Sequence, residues 1–173
     1  TTPEQGWKGL CDSPLSGDTR NPWDPTLTPG GSSGGASVAA ITGMALLNVG
    51  SDGGGSIRMP SAFCGTFGLK PTHAKVPLYP PGGSGLLSHV GPITRSVRDC
   101  AHMMAAIAQP DAREIYQTEP DLRSWVEGLD DGVDGLRIAY SPTYGGAPVD
   151  PQIADAVRRT VALLEDLGAH VDE

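Results

Sequence analysis

The sequence predicts an α/β fold in which a mixed β-sheet core is flanked by helices. Two observations lead to this prediction. Apolar stretches with helical spacing alternate with short stretches typical of strands, which favours a sheet between helical layers. Hydrophobic residues make up 38% of the 173 residues, enough for one packed domain of ordinary size. The 24 glycines and 16 prolines predict many loops between these elements.

The first half of the chain predicts one helix between long loops. Residues 1–35 contain five prolines and many turn-forming residues, so they predict a loop with little regular structure. Residues 36–47 predict a buried helix, because apolar side chains recur there at three-to-four spacing. A mixed apolar and glycine-rich stretch extends to residue 69, and a Pro/Gly-rich loop is expected over residues 71–92.

A second buried helix is expected directly after Ser96. Ser96 and Asp99 form a capping-box pattern ahead of an apolar run. Beyond this helix, residues 111–134 carry eight carboxylates against two arginines, which indicates a solvated acidic connector.

The last part of the chain predicts a β-α-β segment. Residues 136–140 are typical of a strand, Asp150 and Pro151 of a helix start, and Gly168 of a helix end before a second strand. The chain is therefore predicted to be one partial domain over residues 1–173. It consists of a glycine/serine core (1–110), an acidic connector (111–134) and a β-α-β segment (135–173).

Charge and composition argue against several partners. The net charge of −8 would oppose binding to nucleic acid or to an anionic membrane. The longest uncharged apolar stretch, residues 36–49, is too short to span a bilayer. The three cysteines are far apart and form no C-x-x-C pair, so we expect no disulfide framework, no metal site and a reducing cytoplasmic location. No pattern indicates a cofactor.

The two termini suggest a truncated protein. The chain starts at Thr1 without an initiator Met or signal segment, and it ends at Glu173 inside an expected strand. We therefore expect the fold to be incomplete at both ends.

Two clusters of glycine and serine are the strongest candidates for chemistry. They are residues 30–35 (GGSSGG) and residues 52–58 (DGGGSIR). Glycine-rich backbone beside a hydroxyl is what acyl transfer needs, because unhindered N–H groups can bind a developing oxyanion while the hydroxyl attacks. The alternative is that both clusters simply make turns, which glycine does without catalysis.

Several known site types do not fit these clusters. A P-loop needs a lysine directly after its glycines, and none is present there. Residues 31–35 match G-x-S-x-G, but a nucleophile elbow follows a strand, and a proline-rich stretch precedes this motif. No S-x-x-K occurs. A serine activated by a group other than histidine remains.

Other reactive residues have less specific predicted roles. The four histidines show no metal-binding spacing and predict structural or surface roles. Arg58 could bind a substrate carboxylate or carbonyl, or pair with Asp52 to hold the loop. Cys64 predicts a small core residue whose apolar surroundings raise its pKa.

Seven segments together resemble the amidase signature family, whose members hydrolyse carboxamides. The resemblance covers about the first 110 residues and joins several motifs in order. The segments are residues 6–8, 21–23, 29–35, 50–58, 63–65, 68–72 and 91–92. It implies the amidase signature fold, no cofactor and a small-molecule amide as the partner, with homo-oligomerisation left open.

The resemblance also implies roles for individual residues in a Ser-cisSer-Lys triad. Ser56 corresponds to the nucleophile and Ser32, after a cis Gly31–Ser32 peptide, to the bridging serine. Ser33 would assist by hydrogen bonding. The oxyanion hole would consist of the backbone N–H groups of Gly53, Gly54, Gly55 and Ser56, with Asp52 and Arg58 in supporting or substrate-binding roles.

One departure from the family pattern concerns the triad lysine. In the family this lysine lies several dozen residues before the first cluster, and Lys8, Lys70 and Lys75 do not match its position. The chain is therefore expected to be an amidase fragment that is inactive alone. The alternatives are a non-catalytic fragment or pseudoenzyme, and the glutaminase subunit of a tRNA-dependent amidotransferase.

Overall fold

The chain folds into two compact units, and each of them combines helices with strands. The structure is a computed structural model that describes residues 1–117 and 124–173. The first unit is Thr1–Glu127 and the second is Gly128–Glu173. The mixed helix-and-strand fold expected from the sequence is therefore confirmed.

A three-stranded antiparallel sheet organises the first unit. Its strands are β1 (Leu47–Asp52), β2 (Phe67–Gly68) and β3 (His89–Thr94), in the order β1-β3-β2. Asp52 pairs with His89 in the register of β1 and β3. The end of β1 and the start of β3 therefore lie side by side.

Helix α1 (Gly34–Ile41) is shorter than the sequence predicted. The helix predicted to Leu47 is wrong beyond Ile41, because Gly43 adopts a left-handed conformation with φ of +76° that ends the helix. Leu47 instead begins β1. The loop predicted over residues 71–92 is also wrong at its end, where a short 3-10 turn and the start of β3 lie.

Helices α2 (Arg58–Cys64) and α3 (Val97–Ile107) complete the first unit. The predicted cap of α3 is confirmed: Ser96 Oγ accepts the Asp99 N–H at 3.1 Å and donates to Asp99 Oδ2 at 2.8 Å. Two small apolar clusters form the core. One contains Ala40, Ile57 and Ile93, and the other contains Val76, Cys100 and Met104.

The predicted acidic connector is only partly described. Residues 118–123 lie outside the described residues. Before them, the Glu114 carboxylate accepts the Leu78 N–H at 3.0 Å. After them, Trp125 packs against the cluster around Met104. Both flanks of the gap thus make contacts within the first unit.

The second unit is the predicted β-α-β segment, which is confirmed. Strands β4 (Arg137–Ala139) and β5 (His170–Asp172) pair in parallel, and α4 (Pro151–Asp166) joins them. Asp150 caps α4 by accepting the Gln152 N–H at 2.8 Å. In the described part of the chain, no helix is long and apolar enough to cross a membrane.

Candidate active site

The two glycine-serine clusters meet in the first unit. We call residues 29–33 the first loop and residues 52–58 the second loop. The Ser33 N–H donates to the Ser56 carbonyl at 3.3 Å. The Ser33 hydroxyl also donates to the Ser51 carbonyl at 3.3 Å and accepts the Ser51 N–H at 3.2 Å. Ser33 therefore ties the first loop to both ends of the segment that carries Ser56.

The first loop is enclosed by the chain that precedes it. Its Gly31–Ser32 peptide is cis, as predicted. A Cβ on Gly31 would lie 2.6 Å from both the N and O atoms of Leu10, so only glycine fits there. The Cys11 thiol donates to the Ser32 carbonyl at 3.3 Å. Ser32 is consequently only 2% exposed.

Asp52 organises the second loop with its buried carboxylate, which is 1% exposed. Oδ1 accepts the Gly55 N–H at 2.7 Å, and Oδ2 accepts the N–H groups of Ile57 at 3.1 Å and Arg58 at 3.3 Å. The Arg58 side chain donates to Oδ2 through Nε at 3.0 Å and to Oδ1 through Nη2 at 2.8 Å. The carboxylate thus fixes the turn that places Ser56 between Gly55 and Ile57.

These hydrogen bonds set the protonation state of Asp52. Burial alone would raise its pKa, but the donors from Arg58 and from the Ile57 and Gly55 backbone outweigh burial and lower the pKa from 3.8 to about 2. The carboxylate is therefore ionised throughout the physiological pH range. Of the two roles predicted for Arg58, the structure contains the ion pair with Asp52.

The four N–H groups predicted for the oxyanion hole are not equivalent. The Gly55 N–H is engaged with Asp52. Within the described residues, the N–H groups of Gly53, Gly54 and Ser56 make no hydrogen bond. No atom lies within 4 Å of where a Cβ on Gly54 would be, so this part of the loop borders open space.

The hydroxyls of Ser32 and Ser56 lie on neighbouring loops. Ser56 is half-buried, whereas Ser32 is fully buried. In residues 1–117 and 124–173, no hydrogen bond joins the two hydroxyls. The proton transfer between them that the resemblance implies therefore stays a prediction.

The lysines of the chain have other contacts. Lys8 forms an ion pair with Asp12 at 2.8 Å, and Lys70 donates to the Pro71 carbonyl at 2.8 Å. The ammonium of Lys75 lies 6.0 Å from the centroid of the Trp125 ring. No lysine that the structure describes hydrogen-bonds to Ser32 or Ser56.

Two residues near the site were not singled out for it by the sequence. Cys11 contacts the Ser32 carbonyl, and His89 Nδ1 lies 3.1 Å from the Asp52 carbonyl oxygen. Both contacts join residues distant in sequence, and no local pattern indicates either of them. Cys64 is buried in the core as predicted, and burial raises its pKa. No group of His, Cys, Asp and Glu in the described chain is arranged to hold a metal ion.

Comparison with known proteins identifies the family. A sequence model of the amidase family matches residues 1–173. The chain belongs to the amidase signature family. The resemblance drawn from the seven segments is thus confirmed, and it extends over the β-α-β segment as well.

Three amidase signature relatives illustrate the range of the family. One is the A-type subunit of glutamyl-tRNA(Gln) amidotransferase from Ligilactobacillus salivarius, which is 44% identical over 161 residues, or 90% of this chain and 32% of that protein. An acylamidase from Rhodococcus erythropolis is 43% identical over 173 residues, 99% of this chain and 36% of that protein. The crystal structure of a bacterial aryl acylamidase of the amidase signature family superposes with a TM-score of 0.86 at 34% identity, covering 96% of this chain and 34% of that one. The chain therefore spans about a third of the length of the relatives it matches.

Proposed function

We propose that the protein containing this chain hydrolyses carboxamide C–N bonds through an acyl-enzyme on Ser56. The observation behind this proposal is the second loop. Asp52 holds the backbone on both sides of the half-buried Ser56, while the N–H groups of Gly53 and Gly54 have no partner among the described residues. Family membership supports the same reaction.

The reaction would proceed in two steps. The Ser56 hydroxyl attacks the amide carbonyl carbon, its proton leaves through Ser32, and the C–N bond breaks to release ammonia or an amine that takes up a proton. Water then hydrolyses the ester on Ser56 and releases the carboxylic acid. We assign the final proton acceptor to a lysine outside these 173 residues, because no described lysine hydrogen-bonds to either serine.

We assign the oxyanion hole to the N–H groups of Gly53, Gly54 and Ser56. The Gly55 N–H contributes indirectly, because its hydrogen bond to Asp52 holds the loop in shape. Loss of a single donor of this kind costs about 10²–10³ in kcat in other acyl-transfer enzymes.

A second candidate function is the glutaminase step of a tRNA-dependent amidotransferase. The 44% identity to the glutamyl-tRNA(Gln) amidotransferase relative favours it, while the 43% identity to an acylamidase favours an amidase that acts alone. Both functions use the same serine chemistry and differ in the amide that is cleaved.

The test uses the full-length gene product. Its turnover of an aryl anilide and of L-glutamine is measured, and the residue labelled by a fluorophosphonate is mapped by peptide mass spectrometry. We expect hydrolysis of at least one amide, labelling at Ser56, and loss of both in Ser56→Ala. Ser16→Ala, a change at an exposed serine in a loop, is the matched control and should behave like the wild type.

The outcomes separate the alternatives. Preference for glutamine would identify the glutaminase function, and preference for the anilide would identify the amidase. Labelling that survives Ser56→Ala would contradict the assigned nucleophile. Absence of both turnover and labelling in a folded wild type would identify a pseudoenzyme.

A further inference from the structure

His89 lies where β3 begins, directly opposite Asp52 at the end of β1. Its ring nitrogen Nδ1 is 3.1 Å from the Asp52 carbonyl oxygen and 2.8 Å from the Leu87 carbonyl oxygen. Carbonyl oxygens only accept hydrogen bonds, so Nδ1 carries the proton and donates to both. The ring therefore adds a side-chain hydrogen bond to the end of the β1–β3 ladder.

This hydrogen bond completes the anchoring of Asp52. The carboxylate of Asp52 is held by groups that follow Ser56 or directly precede it, as described above. The Asp52 carbonyl, on the other side of the residue, is held by His89. Gly53 and Gly54, which carry the N–H groups assigned to the oxyanion hole, come directly after this doubly anchored residue.

The same ring also connects Gly53 to its neighbouring turn. A Cβ on Gly53 would lie 3.4 Å from Ser84 Oγ and 3.6 Å from the Leu87 carbonyl oxygen, so this turn packs against the second loop. His89 donates to that same Leu87 carbonyl. One imidazole thus joins the backbone on both sides of the contact that Gly53 makes.

Aromatic rings support the orientation of His89. The His73 ring approaches it edge to face, with 5.6 Å between centroids and an interplanar angle of 82°. Tyr116 in turn contacts His73, with centroids 5.4 Å apart. The imidazole is therefore restrained by packing as well as by its two acceptors.

We propose that His89 is a positioning residue for the oxyanion hole: its Nδ1–H fixes the Asp52 carbonyl and thereby aims the N–H groups of Gly53 and Gly54. The proposal rests on the proposed hydrolase function. Oxyanion donors act on charge that develops in the transition state, so their misplacement lowers kcat more than it changes KM.

The test compares two variants of nearly the same shape in the full-length protein. His89→Asn keeps an N–H donor close to the position of Nδ1, whereas His89→Leu has none. Misplacement of reacting groups by about 1 Å can cost about 10² in rate. We expect His89→Leu to lower kcat, and the rate of fluorophosphonate labelling at Ser56, by about 10-fold or more, with KM changed less than about 2-fold. His89→Asn should retain kcat within about 3-fold of the wild type. His102→Leu, at an exposed position on α3, controls for the loss of an imidazole and should not change kcat.

Each outcome bears on the proposal. A His89→Leu protein with wild-type kcat, or equal losses in the Leu and Asn variants, would overturn it. If His89→Leu does not fold, as judged by circular dichroism, the Asn variant decides: wild-type kcat supports the role, and a loss of 10-fold or more, or failure to fold, contradicts it. Failure of the hydrolase function itself would be recognised separately, because the wild type would then neither turn over amides nor react at Ser56.

Discussion

Asp52 and Arg58, six residues apart, form a bidentate ion pair in which the guanidinium donates to both oxygens of a fully buried carboxylate. A single buried carboxylate without partners would be costly, but the three backbone N–H groups around Ser56 satisfy its remaining acceptor sites. The loop and the ion pair therefore stabilise each other. This arrangement explains how a segment with three consecutive glycines keeps one conformation around Ser56.

The first prediction concerns acid stability. Because the pKa of Asp52 in the folded chain is about 2 against an ordinary 3.8, ionised Asp52 favours folding at pH values above about 4, and this contribution is lost as the pH falls toward 2. The shift corresponds to roughly 2 kcal/mol. We expect Asp52→Asn to lower the free energy of unfolding at pH 6 by about that amount or more, measured by urea denaturation.

The pH dependence distinguishes this cause from a general packing defect. The difference between the wild type and Asp52→Asn should narrow between pH 4 and pH 2, as the wild-type carboxylate becomes protonated. Asp18→Asn removes the carboxylate of an exposed ion pair with Arg20, and should change stability by less than about 1 kcal/mol. A constant difference from pH 6 to pH 2 would contradict the role given to the Asp52 charge.

The second prediction concerns the close approach of backbone at Gly31. A Cβ there would lie 2.6 Å from two backbone atoms of Leu10, and backbone atoms cannot move aside as the end of a side chain can. We expect Gly31→Ala to destabilise the protein by several kcal/mol or to prevent folding. Gly83→Ala, where no atom lies within 4 Å, should leave the thermal unfolding midpoint within a few degrees of the wild type. Equal midpoints for the two variants would show that the loop 6–11 does not pack on Gly31.

The third prediction concerns the three free cysteines, all of which are buried. Burial raises the pKa of Cys100 to about 11 and also raises the pKa of Cys64. Because alkylation requires an accessible thiolate, we expect iodoacetamide at pH 8 to modify the peptides of Cys11, Cys64 and Cys100 far more slowly in the folded protein than in urea. Rapid modification of Cys11 in the folded protein would show that the segment over Ser32 opens readily.

The sequence predicted elements well where the signal is local. Ser96 and Asp99 lie three residues apart, and Asp150 directly precedes Pro151, so each cap follows from neighbours in the chain. The helix predicted to Leu47 was wrong because apolar spacing alone does not distinguish the end of a helix from the start of a strand. Gly43 marks that end, yet glycine also occurs within helices.

The candidate site was predictable to a similar extent. The two glycine-serine clusters and the pairing of Asp52 with Arg58 lie within short segments, and motif recognition identified them. The contact between His89 and Asp52 depends on the register of β1 against β3, which no local pattern specifies. The enclosure of Ser32 by residues 6–11 depends equally on packing between distant segments.

The last prediction concerns Ser33, whose hydroxyl both donates to and accepts from the backbone of Ser51. Ser33→Ala removes this link and leaves the Ser51 N–H and carbonyl without that partner, beside a residue that is only 6% exposed. Leaving buried groups unpaired costs about 1–3 kcal/mol. We expect a loss of that size in the free energy of unfolding, because the two loops are then joined at this point only through the bond between the Ser33 N–H and the Ser56 carbonyl. Hydrolysis of the best amide substrate should fall as well, since Ser56 and its glycines are held less firmly against Ser32. Ser16→Ala, the exposed control, should change neither quantity. A Ser33→Ala protein with wild-type stability and kcat would show that the hydroxyl link does not hold the loops together.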